Sequence, residues 1–227
     1  MQQKYYEAYD SRYRQIHRQD LQWASDQPSA IVAQTMERFS VSPGDALLEI
    51  GCGEGRDAAA LLRDGYDLLA TDVSPEAIRY CREKYPAYAA RFQRLDCVTE
   101  RLEQRFDFLY AVAVVHMLVA DEDRDGFYAF VREHLKPRGV ALICTMGDGQ
   151  LELQSDVAAA FDVAERIHEG TGKTVRVAGT SCRMVSFETF DRELRRNGLA
   201  VLSRGLTAVE PDFSQMMYAV VQRAALD

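Results

Sequence analysis

The sequence predicts one α/β domain, a doubly wound and mostly parallel seven-stranded sheet whose last strands run antiparallel, with a helical and hairpin cap. Three observations carry that prediction. Between residues 46 and 145, short apolar runs alternate with amphipathic stretches of helical period. The first run opens into a glycine cluster, "LLEIGCGEGRDAAALL" at 47–62, where a strand-to-helix turn lets backbone approach a ligand closely. Two further runs, near 199–206 and 216–223, have no helical signal between them, which fits an antiparallel pair.

The elements follow in order. Residues 3–19 read as a helix, because Tyr5, Tyr9, Tyr13 and Ile16 return to one face. A second helix is expected from Pro28 to Phe39, with Pro28 at its first position, before a loop in "SVSPGD". Strands are predicted at 46–50, 67–71, near 91–95, at 107–112 and at 139–145. Helices at 55–64, 75–84 and 122–135 lie between them, the second started by Ser74 as N-cap and Pro75. Lys136-Pro137-Arg138-Gly139 is expected to end the third helix and turn the chain. A last helix from Phe187 to Asn197 stops at Gly198.

Residues 146–185 break this alternation. They predict an amphipathic helix over 152–168, then a hairpin in "TVRVAGTSCRMV" around Gly179-Thr180. An insertion this long after a strand's C-terminal end suits a lid or pocket wall. The chain therefore divides into an N-terminal helical cover (1–40), a ligand-binding core (41–145), a substrate-side cap (146–185) and a final helix with its strand pair (186–227).

Composition excludes several classes. Lys plus Arg is 27 against 35 Asp plus Glu, a formal net charge of −8, which opposes binding to a phosphate backbone. The basic run "RELRR" at 192–196 reads as the solvated face of a helix. No apolar run reaches the length of a membrane span, and "MQQKYYEAYD" lacks a signal-peptide core. Five cysteines without a C-x-x-C fit reduced thiols in a cytoplasmic protein, and four scattered histidines argue against a zinc site.

In a doubly wound sheet, ligands bind outside the C-terminal ends of the strands, at the switch point beside the first. The spacing G-x-G-x-G is not that of a dinucleotide binder, since Arg56 stands where the last glycine would be. Asp72 ends the second strand, 17 residues after Gly55, where a carboxylate can accept ribose hydroxyls. Asp96 ends the third strand, placed to accept from an adenine amine. Glu49 sets a negative charge beside the glycines, repelling a pyrophosphate and attracting an ammonium or sulfonium group.

This order of parts, continued by "FDFLYAVAVVHML" and "LKPRGVALI", resembles the class I S-adenosylmethionine-dependent methyltransferases over residues 41–145. The stretch "GCGEGRDAAALLRDGYDLLATDVSPEAI" is also similar to small methyltransferases of the tellurite-resistance and thiopurine type, which use N-terminal helices as a cover. The resemblance implies S-adenosyl-L-methionine as cofactor and S-adenosyl-L-homocysteine as product. It implies that Gly51, Cys52, Gly53 and Gly55 touch the methionyl part and that Glu49 organises the turn and the ammonium. Asp72 would hold the ribose, Val73 pack on the adenine, and Asp96 with Cys97 hold its amine edge. Tyr110 and Ala111 would line the floor.

Methyl transfer from a sulfonium needs an aligned acceptor, excluded water and, for a weakly acidic acceptor, a base. His116, just past the fourth strand, is the candidate, as a base or as a group that shapes the pocket. Tyr5, Tyr9, Tyr13 and Trp23 either pack the first helix down or offer π faces to the ligands. Arg176 and Arg183 either pair with an acceptor carboxylate or face solvent. "AVAVVH" lacks the Pro-Pro-aromatic motif of base-amino methylation, and no Pro-Cys nucleophile exists for cytosine chemistry. A small-molecule acceptor is expected; a peptide acceptor and a non-catalytic binding protein are the alternatives.

Overall fold

The computed structural model describes residues 4–168 and 170–225. A single 3-10 turn (Tyr5–Glu7) leads into α1 (Ala8–His17) and then α2 (Ala30–Arg38). The alternating core follows as β1 (Ala46–Ile50), α3 (Arg56–Arg63), β2 (Asp67–Asp72), α4 (Pro75–Lys84), β3 (Phe92–Arg94), β4 (Phe106–Val112), α5 (Asp121–His134) and β5 (Leu135–Met146). Four short strands form the cap: β6 (Leu153–Gln154), β7 (Val163–Ile167), β8 (Thr174–Ala178) and β9 (Arg183–Met184). The chain then runs through α6 (Phe187–Arg196), β10 (Leu199–Val209) and β11 (Phe213–Arg223).

The main sheet has seven strands in the order β10-β11-β5-β4-β1-β2-β3. β1 to β5 pair in parallel, while β11 runs antiparallel to β5 and β10 antiparallel to β11. The strand order reverses between β1 and β4, which puts the switch point beside the glycine turn. Side-chain alternation along β1 feeds two cores. Leu48 and Ile50 join Phe127, Phe130, Phe190 and Met217 on the α5–α6 face, and Leu47 joins Ile31, Val32, Leu61 and Leu62 on the α2–α3 face. Each such side chain stabilises the fold by roughly 1.5–3 kcal/mol when removed from water.

The cap departs from expectation. No helix covers 152–168; that stretch holds β6, a 3-10 turn (Val157–Ala159) and β7. β7 pairs antiparallel with β8 from Val163↔Ala178 to Ile167↔Thr174, so the hairpin turns through the glycine-bearing segment after His168, not at Gly179-Thr180. β-branched residues on both strands and a Gly-Thr-Gly turn favour this pairing. Val163 and Ile167 remain exposed, so no buried stripe demands a helix there. β9 pairs instead with β6, and Thr180 takes a left-handed φ of 62°.

Three boundaries also shift. α2 starts at Ala30 with Ser29 as N-cap, because the Ser29 amide and hydroxyl both donate to Asp57, which leaves Pro28 outside the helix. The first helix begins only at Ala8, with Tyr5 on the 3-10 turn before it. Lys136–Gly139 lies inside β5, where the pairing with β4 is irregular, and is not a separate turn.

Candidate active site

Gly51, Gly53 and Gly55 all adopt left-handed φ, of 74°, 52° and 82°, between β1 and α3. A Cβ on Gly51 would overlap the Val114 side chain, and one on Gly53 would lie 2.7 Å from the Tyr13 hydroxyl. Side chains are therefore excluded at both positions by conformation and by space. The amides of Gly51 and Cys52 donate to the Thr71 carbonyl at 2.7 and 2.8 Å, which pins the turn to the end of β2.

Asp72 completes that junction. Its two oxygens accept from the Gly53 amide at 2.9 Å and the Ser74 amide at 2.8 Å. Burial raises its pKa to about 6, with the two amides opposing and the charge of Asp10 adding to the rise. Val73 follows, half-buried against the α5-side core. Asp96 lies beyond β3, accepting from Lys4 Nζ at 2.6 Å, Thr99 Oγ1 at 2.8 Å, the Val98 amide at 3.0 Å and the Tyr6 hydroxyl at 3.2 Å. Burial opposes its ionisation, but Lys4, Thr99 and the Val98 amide outweigh it and hold its pKa below the usual value. Cys97 beside it is half-buried, its thiol pushed up by burial and by Asp96.

The N-terminal segment lies across this edge. Tyr9 and Tyr13 pack with Trp23, Met117 and Ala77, and the Trp23 amide donates to Glu54 within the glycine turn. His17 is held between Glu54 at 2.9 Å and Glu76 at 2.8 Å. Burial opposes its protonation, yet the two carboxylates outweigh that and raise its pKa. Tyr5 stands apart from the stripe. Its hydroxyl donates to Asp123 and accepts from the Val119 and Ala120 amides, so it anchors the start of α5.

Five expected site residues are buried, paired or exposed as follows. Glu49 is buried facing the α2–α3 core, where it accepts from the Tyr110 hydroxyl at 3.0 Å, and burial and Asp57 push its pKa well up. Tyr110 is shut inside that same core and Ala111 inside the opposite one, so neither side chain reaches an open floor. Arg176 is exposed on β8, opposite in direction to Val175 and Val177, which pack on Ile16. Arg183 is engaged with the Val119 carbonyl and Asp121, both at 2.7 Å.

His116 sits on a 3-10 turn (Val115–Met117) behind Ala113, whose left-handed φ of 60° folds the chain over the end of β4. It is 2% exposed, and its Nδ1 has no hydrogen-bond partner among the described residues. Burial, then the charges of Arg124 and Arg12, lowers its pKa to about 3. The segment is clamped from below: fully buried Arg124 donates to the Val115 and Leu118 carbonyls and forms a two-pronged pair with Glu193 at 2.8 and 2.6 Å.

Sequence reasoning missed Arg12, Glu54, Arg124 and Glu193. Arg12 left a signal, since it falls three residues after Tyr9 on the face that returns to the sheet. Glu54 left another, as a charged residue inside a glycine turn that had to be buried. Arg124 and Glu193 are 69 residues apart, and neither spacing nor composition links them.

Among the described residues, no group of three or more His, Cys, Asp or Glu side chains is placed to share a metal ion, and no helix is long and apolar enough to cross a membrane. A family model described as a methyltransferase domain matches residues 48–141. Over 122 residues the chain is 27% identical to cyclopropane-fatty-acyl-phospholipid synthase of Escherichia coli strain K12, covering 53% of this chain and 31% of that protein. The chain spans about a third of the length of the first curated relatives it matches. In structure it is similar to the CcbJ methyltransferase from Streptomyces caelestis, with a TM-score of 0.68 at 18% identity over 95% of this chain and 99% of that one. The glycopeptide N-methyltransferase MtfA complexed with sinefungin gives 0.65 at 21% identity over 89% of each chain. Identities this low speak for the fold. The matched methyltransferase domain lies over β1 to β5, and the likeness to the solved methyltransferases extends through the reversed strands at the sheet's end, so the chain has the fold of these methyltransferases.

Proposed function

We propose that this protein transfers a methyl group from S-adenosyl-L-methionine to a small-molecule acceptor, leaving S-adenosyl-L-homocysteine. The observation that carries the reading is the convergence of the left-handed glycine turn, Asp72 and Asp96 at the switch point, under a segment bearing Tyr6, Tyr9 and Tyr13. These residues fit the cofactor's chemistry. The left-handed glycines let main chain approach a ligand closely, and each Asp72 oxygen, with one amide already donating to it, keeps a lone pair for a ribose hydroxyl. The similar MtfA has been solved with S-adenosyl-L-methionine and with S-adenosyl-L-homocysteine, which supports this reading.

When bound, the cofactor supplies a methyl carbon already activated by its sulfonium. The chain's own residues orient and enclose. The Gly51–Gly55 main chain and Asp72 receive the methionyl and ribose parts, and Val73, Asp96 and Cys97 frame the adenine end. Lys4, Arg12 and His17 fasten the cover at three points, to Asp96, to the 178–180 turn and to Glu54 with Glu76. A cover tied down at three points excludes water and suits a small acceptor better than a long peptide. Burial and the charges of Arg124 and Arg12 lower the pKa of His116 to about 3, which makes it a weak base and supports an acceptor that is soft or already ionised. The narrower resemblance to tellurite-resistance and thiopurine methyltransferases agrees with such acceptors.

A tritiated-methyl transfer screen across thiols, phenols, carboxylates, metalloid oxyanions and peptides tests the proposal. Label in a small soft or ionised acceptor is the expected result. Label confined to peptides, or no transfer despite tight cofactor binding, contradicts it.

A further inference from the structure

The protein buries two arginines at the two sides of the His116 turn and treats them differently. Arg124, 0% exposed, has the Glu193 carboxylate across a two-pronged pair. Arg12, 6% exposed, has no carboxylate partner among the described residues. Its Nε and Nη2 donate to the Ala178 carbonyl at 3.1 and 2.9 Å, and Nη2 also to the Gly179 carbonyl at 2.7 Å and the Thr180 hydroxyl at 2.8 Å. The guanidinium lies over the rings of Tyr9 and Trp23, at 5.1 and 4.6 Å. Carbonyls and π faces hold a cation in place, but they do not cancel its charge.

The surroundings make the imbalance larger. Burial and the nearby charge of Arg166, a second cation, both lower the pKa of Arg12. The turn that holds it continues into Ser181, whose hydroxyl donates to the Met117 carbonyl at 2.6 Å, so Arg12 and the His116 turn are joined through one loop. Nη1 of Arg12 donates to none of the described residues, and neither does Nδ1 of buried His116. Thr180, with a left-handed φ of 62°, accepts from Arg12 through its hydroxyl.

Resting on the methyltransferase reading above, we propose that Arg12 is the acceptor-recognition residue and that it selects a carboxylate-bearing small molecule, with His116 Nδ1 as the second donor. Nη1, the guanidinium nitrogen without an acceptor among the described residues, can donate to one carboxylate oxygen while Tyr9 and Trp23 hold the guanidinium against their rings. The role expected of Arg176 or Arg183 thereby passes to an arginine of the N-terminal cover. Closing the cover and gripping the acceptor become one event, since both use Arg12.

Calorimetric titration of benzoate and its neutral isostere benzamide into the full chain, with and without S-adenosyl-L-homocysteine, tests this. Benzoate is expected to bind at least about tenfold more tightly, the size of a charge-assisted hydrogen bond in a buried site. Arg12→Met should abolish that preference, and Arg12→Lys should keep part of it through the retained charge. Equal binding of the two probes to the unmutated chain, no binding of benzoate, or an undiminished preference in Arg12→Met overturns the proposal. The wild-type comparison stands even where Arg12→Met does not fold. A benzoate preference without any binding of S-adenosyl-L-homocysteine sinks the methyltransferase reading and leaves the anion site standing.

Discussion

Replacing Arg124 with methionine removes a guanidinium that serves five acceptor atoms at once, on Glu193, Val115, Leu118 and Tyr128. Glu193 loses both prongs of its pair, and the Val115 and Leu118 carbonyls lose the donor that holds the His116 turn. The Tyr128 hydroxyl, at 2.8 Å, is then the only donor left to Glu193 among the described residues. Breaking a buried pair from one side costs roughly 3–5 kcal/mol, because among the described residues the charge left behind keeps only Arg183, at 3.9 Å, to offset it. For a chain of this length that is a fall in Tm of roughly 6–20 °C, taking about 2–4 °C per kcal/mol. Urea unfolding with a constant slope gives the difference directly. The double change Arg124→Met with Glu193→Leu should recover much of the loss, since it removes both charges. A loss under about 1 kcal/mol, or a double variant as unstable as the two singles added together, would refute the reasoning.

Asp72→Ala should weaken binding of S-adenosyl-L-homocysteine by roughly 1–3 kcal/mol, measured by calorimetry, as the Gly53 and Ser74 amides lose their acceptor along with the ribose. With Asp72 at about 6 in the free protein, hydroxyl donors from a ribose favour its ionised form, so cofactor binding should release a proton and tighten as pH rises through that value. Paired titrations in buffers of different ionisation enthalpy read that proton; uptake in place of release contradicts the assignment. His17 has a raised pKa, so its contribution to stability is complete below about 6.5 and is lost as pH rises through the folded value. His17→Gln should flatten that dependence in urea unfolding across pH. His116→Ala should change KM for the acceptor more than kcat and leave the pH–rate profile unaltered, whereas a lost limb in that profile would restore the base role.

The sheet was legible because its signals are local. Apolar runs bounded by Gly, Ser and Pro located β1, β2, β4 and α4 to within a residue, and Ser74 caps α4 as its sequence suggests. The reversal at β11 followed from the missing crossover helix. Asp72 ends β2 as its sequence suggests, and Asp96 lies two residues beyond β3, where a strand end limits how far the next side chains can move. What stayed hidden depends on distant partners. The cap folds as paired short strands since its apolar residues face both α1 and solvent, a division that no helical period encodes. Glu49 read as a charge until the position of Tyr110 and Asp57 on the same face was known. Arg12 was passed over because the residues that hold it, Ala178, Gly179 and Thr180, lie 166 to 168 residues away.

The central claim is that the Gly51–Gly55 turn, Asp72 and Asp96 hold an adenosyl amino acid. The most direct test is titration of the full chain with S-adenosyl-L-homocysteine and, separately, with NAD. The account predicts saturable one-to-one binding of S-adenosyl-L-homocysteine and far weaker binding of NAD, whose pyrophosphate this turn is not spaced to take. Tighter binding of NAD, or no binding of S-adenosyl-L-homocysteine to the folded chain, would contradict it.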